Sequence, residues 1–314
     1  MAETSMQAES KAEEAKESEP ASSAAEEASM EQKANAELPK VVVTTSFLED
    51  MVKQIAKDTV SIDLIVPAGE DPHLYVAKPE DYKKIEGGDL LLYHGLHFEG
   101  KMVEVLEQRG VSVSEKFPAE RLGQMDQDGE MITDPHFWFD LELYQMAVDE
   151  AAEALIALAP ENKAMYESNR DGYKSELKDL DAYIKEAMEM IPEESRYLIT
   201  PHDAFNYFSK NYNITVKAPQ GVSTESEVSN QDIQETIDFI VDHKIKAVFA
   251  ESTTDPARME KLKEGAAAKG HEVKIVSGEG HELFSDSLAP KGHSGDTFID
   301  MYRHNVDLIV ENLK

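Results

Sequence analysis

The chain has 314 residues, with 63 acidic and 31 basic side chains and a formal charge of −32. That length allows about two domains at ~150 residues each, and the charge has the wrong sign for neutralising the phosphates of nucleic acid or an anionic membrane surface. No run approaches the ~18 consecutive apolar residues of a spanning helix, and the absence of cysteine removes disulfides, thiolate metal sites and thiol catalysis, leaving His, Asp and Glu to hold any metal.

Residues 1–39 contain ten Glu, ten Ala and six Ser, no aromatic residue, and Leu38 as the sole branched aliphatic. Such a stretch buries too little apolar area to offset its ordering entropy and is expected to be a disordered acidic tether. From Lys40 the β-branched run VVVTT predicts a strand, and Ser46-Phe47-Leu48-Glu49 has the spacing of a helix-capping box. Strands are then expected over 61–66 and 89–93, with helices over 79–85 and 101–108. Arg121 to Thr133 reads as a short acidic loop. Ala-, Glu-, Lys-, Leu- and Met-rich helical spacing follows over 141–158 and 161–190, with Pro160 between them. The second stretch would reach roughly 45 Å at 1.5 Å per residue.

Alternation then resumes, with strands over 196–200, 215–218, 246–251 and 273–276. Ser229 should cap a helix over 230–242, and Asp255-Pro256 should open another ending near Gly270. A last helix is expected over 297–313. This order implies parallel sheets built from βαβ units. The expected architecture is two doubly wound α/β lobes, 40–159 and 192–314, joined by a single long rigid helix over 160–191.

Three histidines share one local context: Asp71-Pro72-His73, Asp134-Pro135-His136 and Thr200-Pro201-His202. Proline fixes its own φ and biases the residue before it, so each His projects from a stiffened loop. His73 and His202 follow predicted strands, one in each half, where loops at carboxyl strand ends converge on a crevice. A lone loop His is ordinarily a surface or core residue. Three in matching contexts point instead to imidazole ligands for a borderline divalent cation. The other seven (His94, His97, His243, His271, His281, His293, His304) lack the X-Pro context and read as surface or structural residues, with His94 and His97 near the site. A fourth, oxygen ligand has three candidates: Glu251 at a strand end, Asp286 after the last strand, and Asp296, which reads better as a helix-initiating residue.

Taken together, VPAGEDPHLYVAKPED (66–81), YHGLHFEGKM (93–102), DPHFWFD (134–140), TPHDAFNYFSKNY (200–212), FAESTTDP (249–256) and LFSDSLAPKGHSGDTFIDMYRHNVDLI (283–309) resemble the solute-binding receptors of ABC importers for zinc and manganese. The resemblance covers about Val41 to Leu313. It implies two lobes bridged by a rigid helix with the metal between them, and places the family's ligands on His73, His136, His202 and Asp286. The family's third position is His in receptors described for zinc and Glu in those described for manganese, so His202 favours Zn²⁺, with Mn²⁺ or Fe²⁺ as alternatives. The His-rich loop that many zinc receptors carry before the second ligand is missing here. Glu251 is then expected to accept the proton on a ligand's far ring nitrogen. Trp138, Tyr207 and Phe208 should pack around the site.

The implied function is capture of one divalent ion in the interlobe cleft and its delivery to an ABC importer permease, by a monomer. Loops rather than whole lobes should move, and acid should weaken binding by protonating imidazoles. A zinc hydrolase is the competing class, but no H-E-x-x-H or G-x-S-x-G motif occurs and a fourth ligand would close the site. An adhesin using the same fold is a third. Family members are exported, so the expected location is extracytoplasmic, with the signal and lipid-anchoring Cys removed from this chain and the membrane reached only through that anchor.

Overall fold

The computed structural model describes residues 38–127 and 130–314. Apart from Leu38 and Pro39, the tether expected over 1–39 lies outside the described residues. Strands β1 (Lys40–Val43), β2 (Ser61–Leu64), β3 (Leu90–Tyr93) and β4 (Val111–Ser112) form a parallel sheet in the order β2-β1-β3-β4. Helices α1 (Ser46–Ala56), α2 (Pro79–Gly87) and α3 (Val103–Arg109) supply the crossovers. Successive side chains alternate across a strand. Val41, Val43 and Leu92 therefore pack with Phe47 and Met51 of α1, while Val42, Leu91 and Tyr93 pack with Ile85 of α2 and Leu106 of α3. Both faces are covered, which is why these strands read as apolar runs rather than as an alternation.

The stretch read as a short acidic loop contains strand structure instead. β5 (Gln124–Gln127) and β6 (Glu130–Thr133) pair antiparallel, and the Asp128-Gly129 sequence between them, a dipeptide favoured in two-residue hairpins, is the signal that the loop reading passed over. Next come α4 (Leu141–Leu158), capped by Asp140 accepting from Glu142 N and Leu143 N, and α5 (Lys163–Glu189). The expected start of α5 moves from Glu161 to Lys163 because Pro160–Asn162 forms a 3₁₀ turn. Its 27 residues extend about 40 Å. It packs on α1, α4 and the final helix α9 (Phe298–Leu313), burying Tyr166, Tyr173, Leu177, Leu180 and Ile184.

In the second half, β7 (Tyr197–Ile199) pairs in parallel with β8 (Thr215–Lys217), and β9 (Ala247–Phe249) with β10 (Lys274–Val276). β7 lies beside β9, so the spatial order β8-β7-β9-β10 repeats that of the first sheet. Helices α6 (Asn206–Tyr212), α7 (Asn230–Asp242) and α8 (Ala257–Ala268) connect these strands; α6 was not expected. Ile199 and Val248 face Ile237, Ile240, Met259 and Leu262 on α7 and α8, whereas Leu198, Ala247 and Phe249 face the main core. The fold is mixed α/β with parallel sheets. Phe298, opening α9, stacks on Tyr144 of α4 at 3.8 Å between ring centres, so one core runs through both halves and Pro39–Lys314 forms one compact unit.

Three expected caps fall elsewhere. The α1 cap is Thr45, accepting from Leu48 N, and the Ser46 hydroxyl instead accepts from Leu288 N at 2.9 Å. Asp296 is not the α9 cap; Thr297 is, accepting from Asp300 N, while Asp296 accepts from Gly292 N. Helix α8 starts at Ala257, after Pro256, with Asp255 accepting from Ala257 N. Ser229 caps α7 as expected, in a capping box with Asp232.

Candidate metal centre

The X-Pro-His segments occupy loops at the carboxyl ends of strands. His73 follows β2, His136 follows β6 and His202 follows β7, while Asp286 lies beyond β10. In both Asp-Pro-His segments the Asp folds back onto the loop. Asp71 Oδ1 accepts from His73 N at 2.9 Å and Asp134 Oδ1 from His136 N at 3.0 Å, local turns that asparagine and aspartate favour. In the third segment Thr200 Oγ1 donates to His202 O at 2.9 Å.

These loops bring His73, His136, His202 and Asp286 together, with one ligating atom from each lying within 4.8 Å of the others. All four are at most 1% exposed. Asp286 Oδ1 lies 3.2 Å from His136 Nε2, and Oδ2 lies 3.2 Å from His202 Nε2 and 4.0 Å from His73 Nε2. The two Nε2 atoms of His136 and His202 are 3.4 Å apart. A tetrahedron with bonds of ~2.0–2.1 Å has edges of ~3.3–3.4 Å; the separation of the His136 and His202 nitrogens matches such an edge, while the four ligating atoms together span up to 4.8 Å. His73 Nε2 and both Asp286 oxygens are buried without an aligned hydrogen-bond partner. Buried polar atoms are rarely left so, and these converge on a common point, as ligands of one cation would.

Two of the imidazoles are held from behind. His136 Nδ1 donates to Asp134 Oδ1 at 2.7 Å and His202 Nδ1 to Glu251 Oε2 at 2.5 Å. With a carboxylate oxygen accepting there, each ring keeps a proton on Nδ1 and turns Nε2 inward, the nitrogen free to ligate once any second proton has left. Each carboxylate is itself anchored. Asn206 Nδ2 donates to Asp134 Oδ2 at 3.0 Å, and Ser285 Oγ to Glu251 Oε2 at 3.1 Å. Tyr207 OH donates to Asp134 O at 3.0 Å, and Trp138, centred 5.2 Å from the His136 ring, donates from Nε1 to Ser285 O at 2.9 Å.

Burial pulls all three imidazoles down, and the neighbouring carboxylates decide the outcome. For His136, Asp134 and Asp286 outweigh burial and carry the ring up to about 9. For His202, Glu251 and Asp286 carry it well above 6.5. Burial would raise Asp286, but the His202 and His136 rings hold it well below 3.8. His73, lacking such a carboxylate behind it, is held by burial at about 3, Asp286 notwithstanding. Without an ion the centre is thus a carboxylate between two protonated rings, and a cation would take those protons' place.

Of the other predicted candidates, Asp296 lies on the approach to α9, away from the four. His94 is buried, meeting Thr45 Oγ1 at 2.7 Å through Nε2 and packing against Phe98 and Trp138, so it supports the site's wall. His97 is exposed. The sequence reading missed Asp134, although its recurrence two residues before His136, as Asp71 stands before His73, was visible. It also missed Asn206 and the buried Glu99, which accepts from Thr44 Oγ1, His94 N and Gly95 N and fixes the turn whose Phe98 ring sits 4.9 Å from His73. Burial raises Glu99 to about 7.

Residues 41–312 match the family described as zinc-uptake complex component A, periplasmic (ZnuA). The zinc-binding protein TroA of Treponema pallidum is 40% identical over 280 residues, 88% of this chain and 89% of TroA. The manganese-binding lipoprotein MntA of Bacillus subtilis is 38% identical over 281 residues, 88% and 90% of the two chains. A solved TroA structure, described for its metal-binding specificity, superimposes with a TM-score of 0.87 at 60% identity, covering 88% of this chain and 100% of that one. The periplasmic zinc-binding TroA of T. pallidum superimposes with a TM-score of 0.83 at 39% identity, over 88% and 99%. Metal-binding solute receptors of ABC transporters, not enzymes, are the company this chain keeps, which sets aside the hydrolase reading. With its fold, its buried cluster of three His and one Asp, and a match running nearly end to end over the described residues, the chain belongs to the ZnuA family of metal receptors for ABC importers.

Proposed function

We propose that His73, His136, His202 and Asp286 coordinate one divalent transition-metal ion, carried as cargo, and that the protein delivers it to an ABC importer permease. Zinc is the favoured ion, with manganese or iron(II) as alternatives. The observation that carries this reading is the convergence of the four buried ligating atoms within 4.8 Å. Three imidazoles and one carboxylate form a borderline, nitrogen-rich donor set, which suits Zn²⁺ better than the oxygen-rich shells that Mn²⁺ prefers. Asp134 and Glu251 act by orienting His136 and His202.

The protein works as a monomer outside the cytoplasm, a location supported by the family's periplasmic description and by relatives named as lipoproteins. The halves flanking 160–191 act as two lobes, and the long helix, packed on α1, α4 and α9, restrains wide hinge opening, so loops carry the change between loaded and empty states. Competition titration of Zn²⁺ against Mn²⁺, with X-ray absorption on each loaded protein, tests the reading. Tighter zinc binding in a four-coordinate shell containing three imidazoles is expected. Zinc binding unaltered by Asp286→Ala would overturn the assignment.

A further inference from the structure

The four ligands are buried to 1% exposure or less, so an ion from solvent needs a path to them. A cavity of about 220 Å³ reaches one of them, His73, and is lined further by the buried Pro135 and Val222 and by the more exposed His97, Ser223 and Glu225. Larger hollows elsewhere touch none of the four ligands. At ~30 Å³ per water the cavity holds about seven waters, room for an ion that still carries part of its hydration shell.

The rim is built rather than incidental. Leu96 and His97 both sit in the left-handed region, with φ of 55° and 63°, between Gly95 and Gly100. Strain of this kind in non-glycine residues persists only where the surroundings impose it. Here Glu99 ties the turn to Thr44, just beyond β1, and to its own backbone. A Cβ at Gly100 would come within 2.3 Å of the His73 carbonyl oxygen, so the turn rides directly on the ligand loop. The result is an exposed imidazole at one side of the opening and the exposed Glu225 carboxylate at the other. The cation nearest Glu225 is Lys101 at 4.0 Å, an exposed pair of the kind that contributes little and that an arriving divalent ion can displace.

We propose that this cavity is the route by which the metal reaches and leaves the ligands, with His97 and Glu225 forming a transient stop at its mouth. One nitrogen and one carboxylate donor suffice to hold a partly hydrated first-row divalent ion briefly. The proposal rests on the reading of the four buried residues as ligands. A route sets rates and not equilibrium, so obstructing it slows arrival and departure equally and leaves the dissociation constant unchanged.

The chain has no cysteine, so Ser223→Cys introduces a single thiol at the rim. Ser223 is half-buried, and its hydroxyl accepts only from Glu225 N, at 3.2 Å. The full chain carrying this substitution is mixed with Zn²⁺ in a stopped-flow instrument and followed with a zinc-responsive dye, before and after capping the thiol with a bulky aromatic methanethiosulfonate. Association and dissociation should both fall about tenfold or more on capping, with an unchanged dissociation constant, and recover when reductant removes the cap. Equal rates with and without the cap, or a thiol that the reagent cannot reach, would overturn the route. Failure of the wild-type chain to bind zinc would instead overturn the ligand reading beneath it. Glu225→Gln should slow association about two- to fivefold at low ionic strength, the gap closing near ~0.5 M salt; an unchanged rate at low salt would remove Glu225 from the stop.

Discussion

His136 and His202 differ from His73 in what stands behind the ring. The first two have a buried carboxylate on Nδ1, at 2.7 and 2.5 Å, and each carboxylate has a further donor of its own. His73 is positioned through its backbone, by Asp71 Oδ1, and that carboxylate's other oxygen accepts from Thr224 Oγ1 at 2.7 Å, from the second half of the chain. Two of the proposed ligands are therefore held by side-chain networks within the core, and the third by a loop bonded to Thr224 of the second half. The contrast is between two rings oriented through their own side chains and one oriented through its loop backbone.

Removing the shared oxygen ligand abolishes the contrast by breaking both parts, and gives the largest expected effect. Bound zinc is worth about 10–16 kcal/mol over four ligands, so Asp286→Ala should weaken binding several hundredfold, measured by dye competition at pH 7.5. Acid acts on the preset pair. His136 is raised to about 9 and His202 well above 6.5, so both hold protons at neutral pH that a metal must expel. Zinc affinity should fall at least about a hundredfold from pH 8 to pH 6, with calorimetry in buffers of different ionisation enthalpy reporting proton release; a flat profile would contradict the paired-ring description. The same shifts act oppositely on the metal-free fold. A raised imidazole stabilises it fully below 6.5 and loses that contribution as pH rises through about 9, so chelator-treated protein should unfold at lower urea at pH 10 than at pH 7.

Asp134→Asn and Glu251→Gln each remove one orienting charge and should cost about 10- to 100-fold in affinity. Asp71→Asn, which can still accept from His73 N, should cost only a few-fold; a loss equal to that of Asp134→Asn would erase the distinction between the two sides. Saturating zinc at a hundredfold excess over its dissociation constant should stabilise the wild-type protein by about 2.7 kcal/mol, read as a shift in thermal midpoint.

Much of this was legible in the sequence because it is local. The strands buried on both faces announced themselves as apolar runs, Pro160 marked the break before α5, and the repeated X-Pro-His segments singled out three residues that the fold does bring together with Asp286. The failures were also local patterns, overridden by partners distant in sequence. Ser46 sits in an apparent capping box, yet its hydroxyl goes to Leu288 N, 242 residues away, and Thr45 takes over the cap. Asp296 reads as the residue that initiates the last helix, yet Thr297 takes that cap and Asp296 accepts from Gly292 N instead. The strands β5 and β6 carry few apolar residues, and the signal for their pairing was the Asp128-Gly129 dipeptide between them rather than any alternation.

Residue type, spacing and hydropathy determined by themselves the α/β alternation, the long helix and the three loop histidines, since backbone propensity and burial period act over a few residues. The longer motifs had already placed the oxygen on Asp286 and a proton acceptor on Glu251; only the folded chain brought the four side chains within 4.8 Å of one another and put Asp134 behind His136. Those outcomes depend on which strand ends the sheet order places side by side, a long-range consequence of packing that no short window of sequence contains.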